Sequence, residues 1–171
     1  MTVSITYATW ADLVSTNLES LGDNEWWSSG DIINTTDRYV DALVGGKLVG
    51  GANIDAGDTC AIYVSGNSNT GDDDNWSGGI GAAYDPVNDD GDTLLTLDTE
   101  INDDNLFKIG SVVFSAASTT EQFGPFSVAQ AFSGIMPPRW AVIVHNESTT
   151  AAENLSTGND IGYVGINFTD V

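Results

Sequence analysis

The sequence predicts an all-β protein, an antiparallel β-sandwich of jelly-roll-like topology with about eight strands and at most one short N-terminal helix. Three observations lead there. Short runs rich in Val, Ile, Tyr and Phe recur along the chain, separated by Gly-, Asn- and Asp-rich turns, as in a sandwich. Helical periodicity occurs in one place only. Hydrophobic residues make up 41% of the 171 and charged residues 17%, enough apolar material for one core. Neither an internal repeat nor a linker divides the chain, so 1–171 reads as a single domain.

Taken in order, "VSITY" at 3–7 alternates and predicts a first strand. In "TWADLVSTNLESLG", Trp10, Leu13, Val14, Leu18 and Leu21 fall at helical spacing. Thr9 and Asp12 have capping-box spacing, and Gly22 is a stop, so 1–22 reads as an N-terminal arm or helix. "GDNEWWSSGDIINTTD" reads as a loop leading to the strand "RYVDALV". Gly45-Gly46 is then either a tight hairpin turn or a bulge within one longer strand. "TCAIYVS" predicts a strand. Residues 66–92, rich in Gly, Asn and Asp, form a long acidic surface loop, unusual for a compact domain. "TLLTLDTEI", "NLFKIGSVVFSA" and "GPFSVAQAFSGI" are the next strand candidates, and "RWAVIVHN" and "IGYVGINF" close the chain.

Charge narrows the function classes. Twenty-five acidic residues against four basic ones give a net charge of −21. Such a surface repels nucleic acid, whose binding relies on Lys and Arg neutralising phosphates, and it repels anionic lipid. Neither partner is expected. A folded domain must tolerate this self-repulsion, which salt relieves by shortening the screening length from about 10 Å at 0.1 M to about 3 Å at 1 M; a saline setting is expected. The longest apolar run, "WAVIV", falls far short of the roughly 18 residues of a membrane helix, and "MTVSITYATW" lacks the marks of a signal peptide.

Signatures of catalysis are missing from the sequence. It has no G-x-S-x-G elbow and no P-loop, and "GGIGAAY" places Tyr84 where a dinucleotide loop needs its last Gly. One histidine and one cysteine make no ordinary zinc site, and Cys60 reads as a small buried hydrophobe. The carboxylates are too numerous to mark a glycosidase pair. No enzyme and no cofactor are expected. "TGDDDNWSGG" and "NDDGD" miss the EF-hand spacing; they read as solvated acidic loops, with a weak Ca²⁺ site on Asp72, Asp73 and Asp74 or on Asp89, Asp90 and Asp92 as the alternative.

Aromatic residues supply the remaining candidates. Trp26 and Trp27 point to opposite sides of an extended chain, and Trp76 sits in the acidic loop; at least one of the three is expected to be partly exposed. Core packing, a protein interface and a sugar platform all remain open for them. In "PPRWAVIVHN", Trp140, Val142 and Val144 share one strand face and Ala141, Ile143 and His145 the other. Apolar residues on both faces predict an interior strand covered on each side, or one whose outer face is buried in an interface. Pro137 and Pro138 belong to its approach, and His145 lies at its rim in a structural role.

"GIMPPRWAVIVHNESTTAA…GNDIGYVGINF" resembles the C-terminal part of small jelly-roll structural proteins of tailed bacteriophages, and "INTTDRYVDALVGGKL" followed by "IYVSGN" is similar to the same proteins. Together these pieces cover about half the chain; the stretch 66–92 has no counterpart. The resemblance implies a virion protein, a capsid decoration (cement) protein made in the host cytoplasm and bound to the capsid exterior. Its implied partners are the major capsid protein and copies of itself, as a trimer or other homo-oligomer. Interface candidates are Trp10, Trp26, Trp27, Trp76 and Arg139, the last as one of few groups able to pair with an acidic neighbour. A tail or fibre component is the nearest alternative; a carbohydrate-binding β-sandwich or adhesin is the alternative of another class.

Overall fold

The computed structural model describes residues 3–13, 15–68, 76–77, 93–95, 103–150 and 152–170. The strands are β1 (Val3–Tyr7), β2 (Ala11–Asp12), β3 (Trp26–Ser28), β4 (Ile32–Ile33), β5 (Asp41–Val49), β6 (Thr59–Asn67), β7 (Thr93–Leu95), β8 (Phe107–Val113), β9 (Thr120–Ser127), β10 (Arg139–Asn146) and β11 (Asp160–Asp170). Every pairing is antiparallel. One sheet, here sheet A, runs β1-β11-β5-β9 with β2 also on β11; sheet B runs β7-β3-β10-β6-β8 with β4 also on β10. Setting aside the short β2, β4 and β7 leaves eight strands among the described residues. Counted along the chain, their orders are 1-8-3-6 and 2-7-4-5, the two interleaved Greek keys of a jelly roll.

Strand alternation divides the apolar residues as the pleat requires. From β5, Ala42, Val44 and Leu48 face inward; from β6, Cys60, Ile62 and Val64; from β10, Trp140, Val142 and Val144; with Trp27, Phe114 and Ile161 they fill the space between the sheets. The other side of sheet B is covered too. Ala141 and Ile143 pack there with Trp26, Trp76, Leu95 and Leu106 in a second apolar layer. Strand β10 is therefore interior on both sides, sealed by its own chain. Part of the 66–92 excursion turns back to do this: Trp76 bridges Asn67, and Ser77 and Gly66 exchange hydrogen bonds.

Three local expectations are corrected, and one pair of alternatives is decided. The described residues of 9–22 form no α-helix: Leu13 N–H donates to Ile161 C=O of β11, Ala11 and Asp12 pair with β11, and a 3₁₀ turn follows at Asn17–Ser20. Sheet hydrogen bonds have taken the backbone groups that the helix needed. The lone α-helix among the described residues, α1 (Val128–Ala131), instead ends the segment read as the strand "GPFSVAQAFSGI"; Ser127 Oγ caps it by accepting from Gln130 N–H, and Asp41 accepts from Ala129 N–H. The loop "GDNEWWSSGDIINTTD" contains β3 and β4. Gly45-Gly46 is a bulge, not a hairpin: β5 is continuous and its register on β9 shifts between Val44 and Gly46. At Gly46, φ is +151° and a Cβ would lie 2.0 Å from the Asp160 carbonyl oxygen, so only glycine fits.

Candidate functional site

The two sheets treat their outer faces differently. Sheet B covers the middle of its outer face with the second apolar layer, leaving Ile33 and Val113 exposed near its margins, whereas sheet A leaves a row of apolar side chains in the open. On β1 the residues Val3, Ile5 and Tyr7 share one side, and register places Phe168 opposite Ile5 and Ile166 opposite Tyr7. Val164 continues this side along β11 and lies opposite Leu43 of β5. The inward residues of β5 and β11, Val44 and Ile161, have the opposite parity, so this row faces outward. Val3, Ile5, Tyr7 and Phe168 are each more than half exposed, at 58%, 56%, 65% and 58%. The apolar side of β1 thus points away from the core, the reverse of what an alternating strand ordinarily does.

Trp10 extends the face. Its ring lies on Gly162 of β11, where a Cβ would come within 2.5 Å of the ring carbons, and its indole N–H donates to the Asp12 carboxylate. Glycine lets the ring lie flat on the sheet, and the acid fixes its orientation. Between Tyr7 and Trp10 on one side and Pro125 on the other runs a cleft of about 320 Å³, floored by Leu43, Gly45 and Val164. No acidic or basic side chain, no histidine and no cysteine lines it. An arrangement of this kind can bury apolar surface against a partner; it presents no nucleophile, base or ligand set.

Of the interface candidates, Trp10 is on this face, 41% exposed. The others are corrected: Trp26, Trp27 and Trp76 are buried at 1%, 0% and 5%, so none of the three is partly exposed and none can offer contact area. Trp27 packs between the sheets and Trp26 and Trp76 in the outer layer of sheet B, since an indole's area is worth most fully enclosed. Arg139 is buried as well. Its Nε lies 3.1 Å from Asp31 Oδ2, with the two side chains 5% and 7% exposed, and its guanidinium stands 5.5 Å from the Trp76 ring centre. The expected pairing of this basic residue with an acid therefore occurs inside the chain.

His145 stacks on Trp26, ring centres 3.9 Å apart and planes within 4°, and its Nε2 lies 3.2 Å from Asn24 Oδ1. It is a rim residue in a structural contact, as its place in the strand predicted. Beside it, Glu147 accepts from Thr59 Oγ1 at 2.7 Å and from Lys108 Nζ at 3.2 Å. Partial burial works to raise its pKa, but these hydrogen bonds and the charge of Lys108 outweigh it and hold the carboxyl below the usual range. Cys60 is fully buried, and burial first, then Glu147 and Asp58, push its thiol far up, which keeps it protonated. Among the described residues no three His, Cys, Asp or Glu side chains gather as a metal site. The Ca²⁺ candidates Asp72, Asp73, Asp74, Asp89, Asp90 and Asp92 lie outside the described residues.

No protein-family model matches the chain, and no curated protein matches it in sequence. The face on sheet A was missed at the level of sequence. Its signal, Val, Ile and Tyr alternating with Ser and Thr in "VSITY", is the same for a strand facing the core and a strand facing out.

Proposed function

We propose that the protein is a structural component of a virion, a capsid decoration (cement) protein of a tailed phage. It lies on the outside of the head with the outer face of sheet A against the major capsid protein. The observation that carries this reading is the exposed apolar face around Val3, Ile5, Tyr7, Trp10 and Phe168 on a chain of net charge −21. A strongly acidic protein resists unselective association, so a large uncharged apolar area is costly unless a partner covers it. The resemblance of "PPRWAVIVHN" and "IGYVGINF" to phage structural proteins names the partner class, and the jelly-roll order of the sheets agrees with it. No enzymatic activity and no cofactor belong to this role.

The test is co-sedimentation of the purified chain with heads of the phage that encodes it. Saturable, stoichiometric binding is expected, weakened at least about tenfold by Trp10→Ala, since an aromatic anchor at the centre of a contact is worth about 2 kcal/mol or more. Absence of binding to any virion part would overturn the virion reading, and binding confined to tails would replace decoration with a tail or fibre role. A carbohydrate-binding role finds some support in Tyr7 and Trp10 beside the cleft. A sugar site also needs convergent polar side chains, and this cleft is lined by glycine, Leu43, Val164 and Pro125. Specific retention on a glycan array, lost in Trp10→Ala, would establish that role instead.

A further inference from the structure

We propose that two copies of the chain join edge to edge through β1, pairing antiparallel about Ile5 so that their A sheets fuse into one. This goes beyond the decoration role and does not depend on it.

Strand β1 is one end of sheet A, and its five residues are all exposed or half-exposed. Ala8 N–H donates to Gly165 C=O of β11, which sets the polarity of the ladder. By the alternation of antiparallel hydrogen bonds, Ser4 and Thr6 turn their backbone groups to β11. Val3, Ile5 and Tyr7 turn theirs to the open side. That side is a row of donors and acceptors ready for another strand.

The other strand ends of the sandwich carry features that discourage such pairing. At the far end of sheet A, β9 holds Glu121 and Pro125 and faces the β5 bulge. At one end of sheet B, β8 carries Lys108 and an irregular register on β6; at the other, β7 spans Thr93–Leu95 among the described residues. Strand β1 has no charged residue, no proline and no bulge. In a chain with 25 acidic residues, β1 is an uncharged edge bordered by the exposed Phe168.

The occupant that fits this edge is the edge itself. Pairing "VSITY" with a second copy about Ile5 sets Ile5 against Ile5, Val3 against Tyr7 and Ser4 against Thr6. One side of the joint is wholly apolar and the other wholly hydroxyl-bearing, so each cross-strand pair is of a stabilising kind. The residues that meet as Val3–Tyr7 and Ile5–Ile5 are those whose N–H and C=O groups face outward, so the register that matches the side chains also closes the backbone hydrogen bonds. The contact is isologous and closes at two copies. It continues the apolar face of sheet A across both, bringing two sets of Phe168 and Tyr7 together. The opposing force is repulsion between two chains of net charge −21, so association strengthens with salt.

Sedimentation velocity on the full chain at about 0.1 M and about 1 M NaCl reads this out. A dimer is expected, tighter at the higher salt. Ile5→Glu and Ile5→Lys each place like charges opposite one another and are expected to weaken the dimer at least about tenfold. An equimolar mixture of the two variants, each shown folded by circular dichroism, is expected to recover dimers, because Glu then meets Lys. A monomeric wild type at both salts, a trimer, a dimer unmoved by either variant, or a mixture of folded variants that stays monomeric would each overturn the proposal. The measurement uses no phage particle, so its outcome is separate from that of the co-sedimentation test.

Discussion

Breaking the Arg139–Asp31 pair is the sharpest test of how sheet B is held. The two charges stand 3.1 Å apart, 5% and 7% exposed, at the start of the central strand β10. Removing one partner leaves the other charged and out of water, which costs about 3–5 kcal/mol. Arg139→Met keeps most of the side-chain length over Trp76 but loses the charge, and Asp31→Asn loses the opposite one. In a domain of this length 1 kcal/mol moves Tm by about 2–4 °C, so each single variant should melt about 6–20 °C below the wild type. The double variant Asp31→Leu/Arg139→Met removes both charges together and should recover to within about 1 kcal/mol of the wild type, or exceed it. Thermal unfolding by circular dichroism closes this double-mutant cycle. Single variants within about 1 kcal/mol of the wild type, or a double variant whose loss equals the sum of the singles, would refute a buried pair that acts as a unit.

Three further outcomes are expected. Trp26→Ala, which empties a site 1% exposed in the outer layer of sheet B, should cost about 3–5 kcal/mol in a denaturant melt; a loss below about 1 kcal/mol would mean that this layer is not a core. Gly46→Ala should cost about 1–3 kcal/mol from backbone strain, and more from its 2.0 Å clash with the Asp160 carbonyl, whereas Gly57→Ala, with φ +103° and nothing within 4 Å, carries the strain alone and should melt above it. Glu147 has a lowered pKa when folded, so its stabilisation is present above the unfolded carboxyl value and disappears as pH falls through the folded one. Glu147→Gln should therefore cost about 0.2–1 kcal/mol at pH 7 and nothing below the carboxylate range, and a difference independent of pH would contradict the sign.

The long strands were legible because a strand buried on both faces reads as an unbroken run of β-prone apolar residues between turn signals. "RWAVIVHN" reads as a strand from Arg139 to Asn146, with Trp140, Val142 and Val144 on one side and Ala141 and Ile143 on the other, as the structure has it. Cys60 was legible as a buried hydrophobe from its neighbours "AIYV". Short elements were not: β3 and β4 have three and two residues, too few to show a period. The helical spacing of Trp10, Leu13, Leu18 and Leu21 misled because alternation and helical spacing overlap over so few residues, and backbone bonds to β11 decided the outcome. The tryptophans were misplaced for another reason. Whether an indole beside an acidic loop is covered depends on how that loop folds back, and Trp76 turns in to close over sheet B. The candidate face itself was invisible, since no pattern within "VSITY" states which side of a strand meets the core. Only its pairing with β11 fixes that side.

An electron cryomicroscopy map of the particle that carries this chain tests the central claim most directly. The account predicts a jelly-roll density on the outer surface of the head, present at a fixed ratio to the major capsid protein. The sheet that bears Trp10, Tyr7 and Phe168 should be turned toward the shell. Density confined to the tail or fibre, a head surface without the protein, or a decoration whose apolar face of sheet A is turned to solvent would contradict it.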